Sequence, residues 1–296
     1  MKSGELMEAH LFYRLWLAIG LGPVNRRIRW LLDKYIFPEA IFEALQEGSL
    51  QGLSLNELNS LKNVTHRQIE HLYKSCIEKG IQIYSPDDEA FPISLSEIDD
   101  PPNLIFCYGN LEEIHIKPSI AIIGARDADD YAVSAAERIS AELSAKGITI
   151  ISGFARGIDS AAHRAALDSG GQTIAVLGCG ISYDYPRNSR GLKERIAQNG
   201  IVISEYFPSS DPKPENFKIR NRIVSGLSDG ILVIQAGERS GTLNTASHGL
   251  SQGKDIFVLT PHDIFDDGYK GSIGLLRDGA IPVYSSKDIL NNLAEH

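Results

Sequence analysis

SIAIIGAR, at residues 119–126, is an apolar run of strand length that ends in a glycine and an arginine. The pattern recurs at residues 148–159, where ITIISGFARGID passes from an apolar run into a loop with two glycines and an arginine. Neither run alternates between apolar and polar residues, so a strand formed there has no face suited to water. Both stretches therefore predict strands of a parallel sheet with helices on its two faces.

Apolar runs of this kind alternate with helical patterns through the second half of the chain. The predicted strands cover residues 120–123, 148–151, 173–177, 201–203, 231–234, 256–259 and 281–284. Helical patterns lie between most of them, at residues 131–146, 158–168, 191–198 and 242–252. This alternation predicts an α/β fold with a doubly wound, mostly parallel sheet.

The first 80 residues predict short helices and no strand. A helix that starts near Leu11 is broken by GLGP at residues 20–23, a second helix follows to residue 35, and a weaker copy covers residues 53–78. Helix–GLGP–helix resembles a helix-hairpin-helix or sterile-alpha-motif (SAM)-like unit, in which turn amides can face a phosphate. A small all-α bundle with a plain Gly-Pro turn explains the pattern equally well.

Composition changes divide the chain into three expected parts. Residues 1–80 form the helical domain, residues 81–117 an acidic, proline-bearing connector that packs on the core, and residues 118–296 a Rossmann-like domain. No signal-peptide stretch or membrane-length apolar run is present, and the three cysteines lack disulfide or zinc spacing. We therefore expect a cytoplasmic protein that uses no metal, no cofactor and no membrane.

The net charge of −9 at first disfavours a nucleic-acid partner, but the charge is unevenly spread. Residues 1–35 carry six cations against three carboxylates, and residues 213–222 carry four cations against one. Residues 87–113, in contrast, carry eight carboxylates and no lysine or arginine. A polyanion can bind such a chain only at its two basic segments.

The loops that follow the predicted strands are rich in glycine. In doubly wound sheets these loops lie at the ligand-binding edge, where glycine allows close approach and helix-start amides favour anions. A single loop of this kind is weak support for a site, but several on one edge with two arginines predict a phosphate-binding surface. Its candidate residues are Gly124, Ala125, Arg126, Ser152, Gly153, Ala155, Arg156, Gly157, Ser240, Gly241 and Thr242.

A basic helix start adds a third element to this surface. Lys218 and Arg222 are four residues apart and share one face of the expected helix, and Phe217 offers a ring on which a base can stack. The alternative is a solvated basic helix face. The candidate nucleic-acid contacts here are Phe217, Lys218, Arg220, Asn221 and Arg222.

Catalytic and nucleotide-binding patterns are weak. Gly178-Cys179-Gly180 lacks the third glycine of a dinucleotide fingerprint, and no P-loop motif occurs. Cys179 has no histidine nearby in the sequence to activate it, and His163 is expected to be a packing group. We therefore predict no catalytic residue.

In combination, these motifs make the chain resemble the bacterial DNA-processing protein A family (DprA, or Smf) over nearly its whole length. The matching blocks are residues 122–126, 152–159, 162–163, 176–180, 185–188, 204–205, 220–223, 240–242 and 276–280. The resemblance implies an extended Rossmann-like domain that binds single-stranded DNA, forms a homodimer and loads the recombinase RecA in natural transformation. It also implies that the loop at residues 124–126 holds backbone phosphate, although Ala125 replaces the usual serine.

Two other hypotheses compete with this one. Rossmann-like nucleoside-monophosphate phosphoribohydrolases carry a PGGxGTxxE motif, and the nearest match here, residues 237–245, has Asn244 and Thr245 where the catalytic glutamate is expected. A pure interaction protein, whose sheet edge contacts RecA while DNA contact is incidental, is the second alternative. The missing carboxylate favours a binding protein over the hydrolase.

Overall fold

The computed structural model describes residues 7, 9–113, 116 and 118–293. The N-terminal part of the protein is a helical bundle. Its helices are α1 (Ala9–Leu21), α2 (Arg26–Tyr35), α3 (Pro38–Gln46), α4 (Leu55–Lys62) and α5 (His66–Glu78). Helix α3, with Pro38 at its first turn, was not among the predicted helices. Lys2, Glu5 and Glu8 of the first basic segment lie outside the described residues.

Burial of one aromatic residue and side-chain caps hold this bundle together. Trp16 is fully buried, and its indole nitrogen donates a hydrogen bond to the Leu61 carbonyl over 3.1 Å. Ser54 caps α4 and Thr65 caps α5, each within a reciprocal capping box. The predicted break between α1 and α2 is present, and Gly22 in it has a φ of +94°, which favours glycine.

The rest of the chain builds one sheet. Its strands are β1 (Ile81–Tyr84), β2 (Ile105–Tyr108), β3 (Ser119–Ile123), β4 (Thr149–Ser152), β5 (Thr173–Leu177), β6 (Ile201–Ser204), β7 (Gly230–Val233), β8 (Asp255–Leu259) and β9 (Ile281–Val283). Their spatial order is β1-β2-β6-β5-β4-β3-β7-β8-β9. The β1–β2 and β2–β6 pairs are antiparallel, and the pairs from β6 to β9 are parallel.

Helices cover both faces of the sheet. They are α6 (Ile93–Ser96), α7 (Asp130–Ser144), α8 (Ile158–Asp168), α9 (Arg190–Asn199), α10 (Pro214–Leu227), α11 (Thr242–Ser251), α12 (Lys270–Arg277) and α13 (Ser286–Leu293). Along β3, Ala121 and Ile123 belong to a core with α10 and α11, whereas Ile120 and Ile122 belong to a core with α7 and α8. The predicted doubly wound, mostly parallel α/β sheet is confirmed.

The segment expected to be an acidic connector contributes strands to this sheet. Strands β1 and β2 come from residues 81–117 and extend the sheet beyond β6 in antiparallel register. Each of these two strands has only four residues, and prolines and carboxylates flank them. Because the sequence prediction relied on longer apolar runs, these two segments were not predicted as strands. The bundle and the sheet meet at this segment, where Arg14 of α1 donates to Asp87 and Asn103.

The chain order of the strands reverses at β3. Strands β4, β5 and β6 lie on one side of it, and β7, β8 and β9 lie on the other. Open sheets of this kind bind ligands beyond the carboxyl ends of the strands at such a reversal. The loops after β3, β4, β5 and β7 therefore meet at one edge. Within the described residues, no helix is long and apolar enough to cross a membrane.

Candidate nucleic-acid interface

The loops after β3, β4, β5 and β7, together with the start of α10, enclose two adjoining depressions. One has a volume of about 660 Å³ and lies over β4 and β5, and the other has a volume of about 440 Å³ and lies over β3 and β7. Arg126, Gly153, Ala155 and Phe217 line both. We refer to the two depressions together as the groove.

Phe217 stands at the centre of the groove. Its ring is half-buried, and the guanidinium carbon of Arg126 lies 5.6 Å from the ring centroid. Tyr185 packs on the ring with a centroid distance of 5.2 Å, and Gly178 lies beneath it. A Cβ on Gly178 would lie 2.5 Å from the ring, so only glycine leaves room for Phe217 in this position.

Three of the predicted cations face solvent at the groove. Arg126, Arg156 and Lys218 are exposed, and Arg156 lies 3.7 Å from the exposed carboxylate of Asp127. Exposed charges keep their hydration and can exchange a weak surface partner for a phosphate at little cost. These three side chains are the ones best placed to neutralise a polyanion.

Arg220 is instead buried beneath Phe217. Only 5% of the residue is exposed, and its guanidinium donates to the carbonyl oxygens of Gly153, over 2.6 Å, and Val176. Burial lowers the pKa of Arg220 to about 10, which leaves it protonated at neutral pH. The side chain thus ties α10 to the ends of β4 and β5 and supports the groove from below.

The carboxylate of Asp159 lies next to this guanidinium. The Ala155 amide donates to Asp159 over 3.1 Å, and a Cβ on Gly153 would come within 3.0 Å of both Asp159 and Arg220. Burial raises the pKa of Asp159, while Arg220 acts against that rise. Gly153 therefore permits the close contact of two opposite charges under the loop.

Arg222 does not share an exposed face with Lys218, contrary to the prediction. Its guanidinium makes a bidentate pair with Glu205, with donor–acceptor distances of 2.7 and 2.8 Å, and also donates to the Asp100 carbonyl. The exposed fractions of Arg222 and Glu205 are 5% and 3%. Because both groups are buried and mutually satisfied, Arg222 anchors α10 to β6 and the connector.

Among the remaining candidates, Gly124 and Ala125 line the smaller depression, whereas Ser152 and Gly157 line neither depression. Ser152 is fully buried, and its hydroxyl donates to the Ile122 carbonyl over 2.6 Å. Gly157 has a φ of +74°, and a Cβ there would lie 2.4 Å from the Ala125 carbonyl oxygen. Gly157 therefore allows the loop after β4 to pass close to residues 124–126, a loop–loop contact and not the approach to a ligand that was expected from the sequence for glycine in these turns.

The loop after β7 is joined to α10 by amide contacts. The Ser240 hydroxyl donates to the hydroxyl of buried Thr242 and accepts from its amide, which shapes the start of α11. Asn221 donates to Asn244 over 3.2 Å and lies 3.5 Å from the Gly241 carbonyl. Asn221, Ser240, Gly241 and Thr242 are thus brought together on the β7 side of the groove.

One wall of the groove was not among the predicted site residues. Residues 183–188, in the loop after β5, line the larger depression and add Tyr185 and exposed Arg187. The YPRN motif at residues 185–188 was recognised as a family block, but nothing in its spacing indicated that it meets the loop after β4. The topology brings the two loops together because β4 and β5 are neighbours.

The residues considered for catalysis are buried or lack the necessary neighbours. Cys179 is 1% exposed, and burial raises the pKa of its thiol, which disfavours the nucleophilic thiolate. Neutral His163 donates from Nδ1 to Thr173 over 2.7 Å and packs inside the fold, as predicted. No cluster of three potential metal ligands occurs in the part of the chain that the structure describes.

Comparisons with known proteins agree on one family. The sequence model of DNA recombination-mediator protein A matches residues 82–294. The DNA processing protein DprA of Bacillus subtilis is 36% identical over 218 residues, which cover 74% of this chain and 73% of that protein.

Two solved structures are also similar. DprA of Streptococcus pneumoniae has a TM-score of 0.74 at 30% identity and covers 96% of this chain and 98% of that chain. DNA processing protein A of Helicobacter pylori, solved to study its single-stranded DNA binding mode, has a TM-score of 0.64 at 30% identity and covers 73% of this chain and 96% of that chain.

Proposed function

The chain belongs to the DNA recombination-mediator protein A family, and from that premise we propose that it binds single-stranded DNA in the groove. The observation that carries the proposal is the pairing of Arg126 with Phe217. An exposed guanidinium can hold a backbone phosphate, and the ring beside it can stack on the adjoining base. Single strands offer both groups at once, whereas a duplex keeps its bases stacked inside.

Exposed cations support the same proposal. Lys218, in the second turn of α10, lines the smaller depression, and Arg156, in the loop before α8, lines the larger one. Contacts to phosphate and to a π-face are independent of base identity. We therefore propose binding without strong sequence preference, driven by counterion release and by stacking.

We propose a recombination-mediator role for this binding: protection of incoming single strands and loading of RecA during natural transformation. The family assignment and the H. pylori relative's single-strand binding support the DNA part. The RecA part, and a homodimer as the active form, rest on the resemblance of the sequence to DprA. Two grooves in one dimer would raise the effective concentration of DNA at each and favour displacement of a coating protein.

We also propose that the groove binds without catalysing a reaction. At the position expected for the hydrolase glutamate, Asn244 accepts a hydrogen bond from Asn221, and Thr245 is 3% exposed. Neither residue offers a carboxylate for glycosidic cleavage. Steady release of free base from adenosine monophosphate would contradict this proposal.

The direct test is a titration of fluorescein-labelled oligothymidylate at several salt concentrations, beside a duplex of equal length. We expect saturable binding of the single strand, a logarithm of affinity that falls linearly with the logarithm of salt concentration, and weaker binding of the duplex. Equal affinity for both forms, or no binding of either, would overturn the proposed function. Adding RecA, ATP and single strands coated with binding protein then tests loading through the lag before filament growth.

A further inference from the structure

A second opening lies beside the groove, where the helical bundle meets the sheet. It has a volume of about 480 Å³ and is lined by residues 21–25, which run from the GLGP turn to the residue before α2, and by Ser209, Asp211, Lys213 and Asn216 before and in the first turn of α10. Pro212 lines the groove, whereas its neighbours Asp211 and Lys213 line this opening. Residues 211–213 therefore form a narrow boundary between the two spaces.

Helix α2 carries a basic, exposed face that begins at this opening. The helix has four cations and one carboxylate, and it starts directly after Asn25, which lines the opening. The side chains of Arg26 and Arg27 are 86% and 53% exposed. Their carboxylate partners, Asp100 and Glu57, lie 3.3 and 4.0 Å away, and surface pairs of this kind are weak and screened by salt.

An aromatic side chain lies among these cations. Trp30 is 39% exposed and is three residues after Arg27, so both lie on one side of the helix. The ammonium of Lys34 lies 5.4 Å from the centroid of the Trp30 ring. The exposed face of α2 thus combines cations with a partly exposed aromatic ring, as the groove does where Arg126 lies beside Phe217.

These features indicate one occupant. The chain is acidic overall, with a net charge of −9. On one side of residues 211–213 the groove is lined by the exposed cations Arg126, Arg156 and Lys218, and on the other side the opening leads to the start of α2. On the basis of the proposed function, we infer that single-stranded DNA leaving the groove crosses residues 211–213 and continues over the GLGP turn onto the basic face of α2. Lys213 contacts the strand at the crossing, and Arg27 and Trp30 contact it beyond.

The inference predicts that these residues matter only for strands long enough to leave the groove. Oligothymidylates of about 4 to 16 nucleotides, the range of site sizes for single-strand-binding modules, separate the two cases. We expect Lys213→Gln and Arg27→Gln to leave the shortest bound oligonucleotide unaffected. For the longest, each change lowers the salt slope by about 0.7, and the double variant lowers it by about 1.4.

Lys146→Gln is the matched control, because Lys146 is an exposed cation in the turn between α7 and β4, at the opposite edge of the sheet. This change removes the same charge and should leave the salt slope unchanged for both the shortest and the longest oligonucleotide. If the double variant binds the longest oligonucleotide as the wild type does, α2 faces another partner, such as an acidic protein, and the inference is wrong while the proposed function stands. If the wild type binds no oligonucleotide of any length, both this inference and the proposed function are wrong.

Discussion

The guanidinium carbon of Arg126 lies 5.6 Å from the centroid of the Phe217 ring, although the two residues are 91 positions apart in the sequence. One comes from the loop after β3 and the other from the first turns of α10. The guanidinium carbon of Arg220 lies 6.0 Å from the same centroid. The ring therefore contacts both an exposed cation, available to a ligand, and a buried one that fixes the loops.

Phe217→Ala should weaken single-strand binding, because a base loses its stacking surface. Stacking contributes about 1–3 kcal/mol per base, so the affinity should fall by about 5- to 150-fold with little change in salt slope. Phe217→Leu is the control, since it keeps apolar cover over Arg220 but removes the π-face. If both variants unfold at lower urea concentration and the folded protein still binds normally, Phe217 is a core residue and not a contact.

Arg126→Ala should alter the salt dependence that Phe217→Ala leaves intact. Losing one phosphate contact to a single strand lowers the slope of log affinity against log salt by about 0.7. Stability should change by about 0.5 kcal/mol or less, because the side chain is exposed. The measurement is the same fluorescence titration at several salt concentrations, and an unchanged slope would remove the loop after β3 from the interface.

Gly178→Ala tests whether the position of Phe217 matters. The new methyl group would lie 2.5 Å from the ring carbon and force the ring to move. We expect weaker binding of oligothymidylate without an altered salt slope, since no charge is changed. Gly274→Ala, in α12 and outside the groove lining, where a Cβ meets nothing within 4 Å, is the matched control and should bind normally.

The parallel core of the fold could be predicted from the sequence because polar residues do not alternate with apolar ones along its strands; in β3 and β5 the one polar residue is the first, Ser119 or Thr173. All five residues of β3 and of β5 are buried, so their apolar runs are continuous. In β1 the exposed Gln82 interrupts the run, and the partners that complete its pairing lie in β2, more than twenty residues away. Local periodicity could not reveal that pairing.

The site could be predicted only as far as the type of residue. Lys218 and Arg222 have the same charge and the spacing of one helix face, yet Lys218 is exposed and Arg222 is buried. The difference arises from Glu205 at the end of β6, which captures Arg222 in a bidentate pair. Spacing within a helix cannot identify a partner supplied by another strand, so the anchoring role of Arg222 required the structure.

Lys218→Ala and Arg222→Ala should accordingly have opposite consequences. Removing Arg222 leaves the Glu205 carboxylate buried without its partner, and breaking such a pair costs about 3–5 kcal/mol of unfolding free energy. Removing exposed Lys218 should cost about 0.5 kcal/mol or less but should lower the salt slope of DNA binding by about 0.7. Urea denaturation and salt-dependent titration of both variants measure the two effects. Equal stability of the two variants would contradict the buried pair.

His163 should make the protein sensitive to mild acid. The Thr173 hydroxyl donates to the Ile150 carbonyl and accepts from His163 Nδ1, so the histidine is neutral and its buried Nε2 has no hydrogen-bond partner among the described residues. A second proton on Nε2 would place an unpaired charge in the core. Burial, with a further contribution from Arg220, lowers the pKa of His163 to about 3.

The sign of the pH effect follows from this depressed pKa. Above about pH 6.5 the histidine is neutral in both the folded and unfolded states, and stability does not depend on it. Between pH 6.5 and pH 3 the unfolded state binds a proton that the folded state does not, so stability falls as the pH falls. From pH 8 to pH 5 the loss should be about 2 kcal/mol.

Urea unfolding of the wild type and of His163→Gln at both pH values isolates the effect, because carboxylates contribute equally to both proteins. The variant should lose about 2 kcal/mol less than the wild type over this interval, whatever its stability at pH 8. Parallel losses would mean that His163 accepts a proton in the folded state and that its Nε2 reaches water.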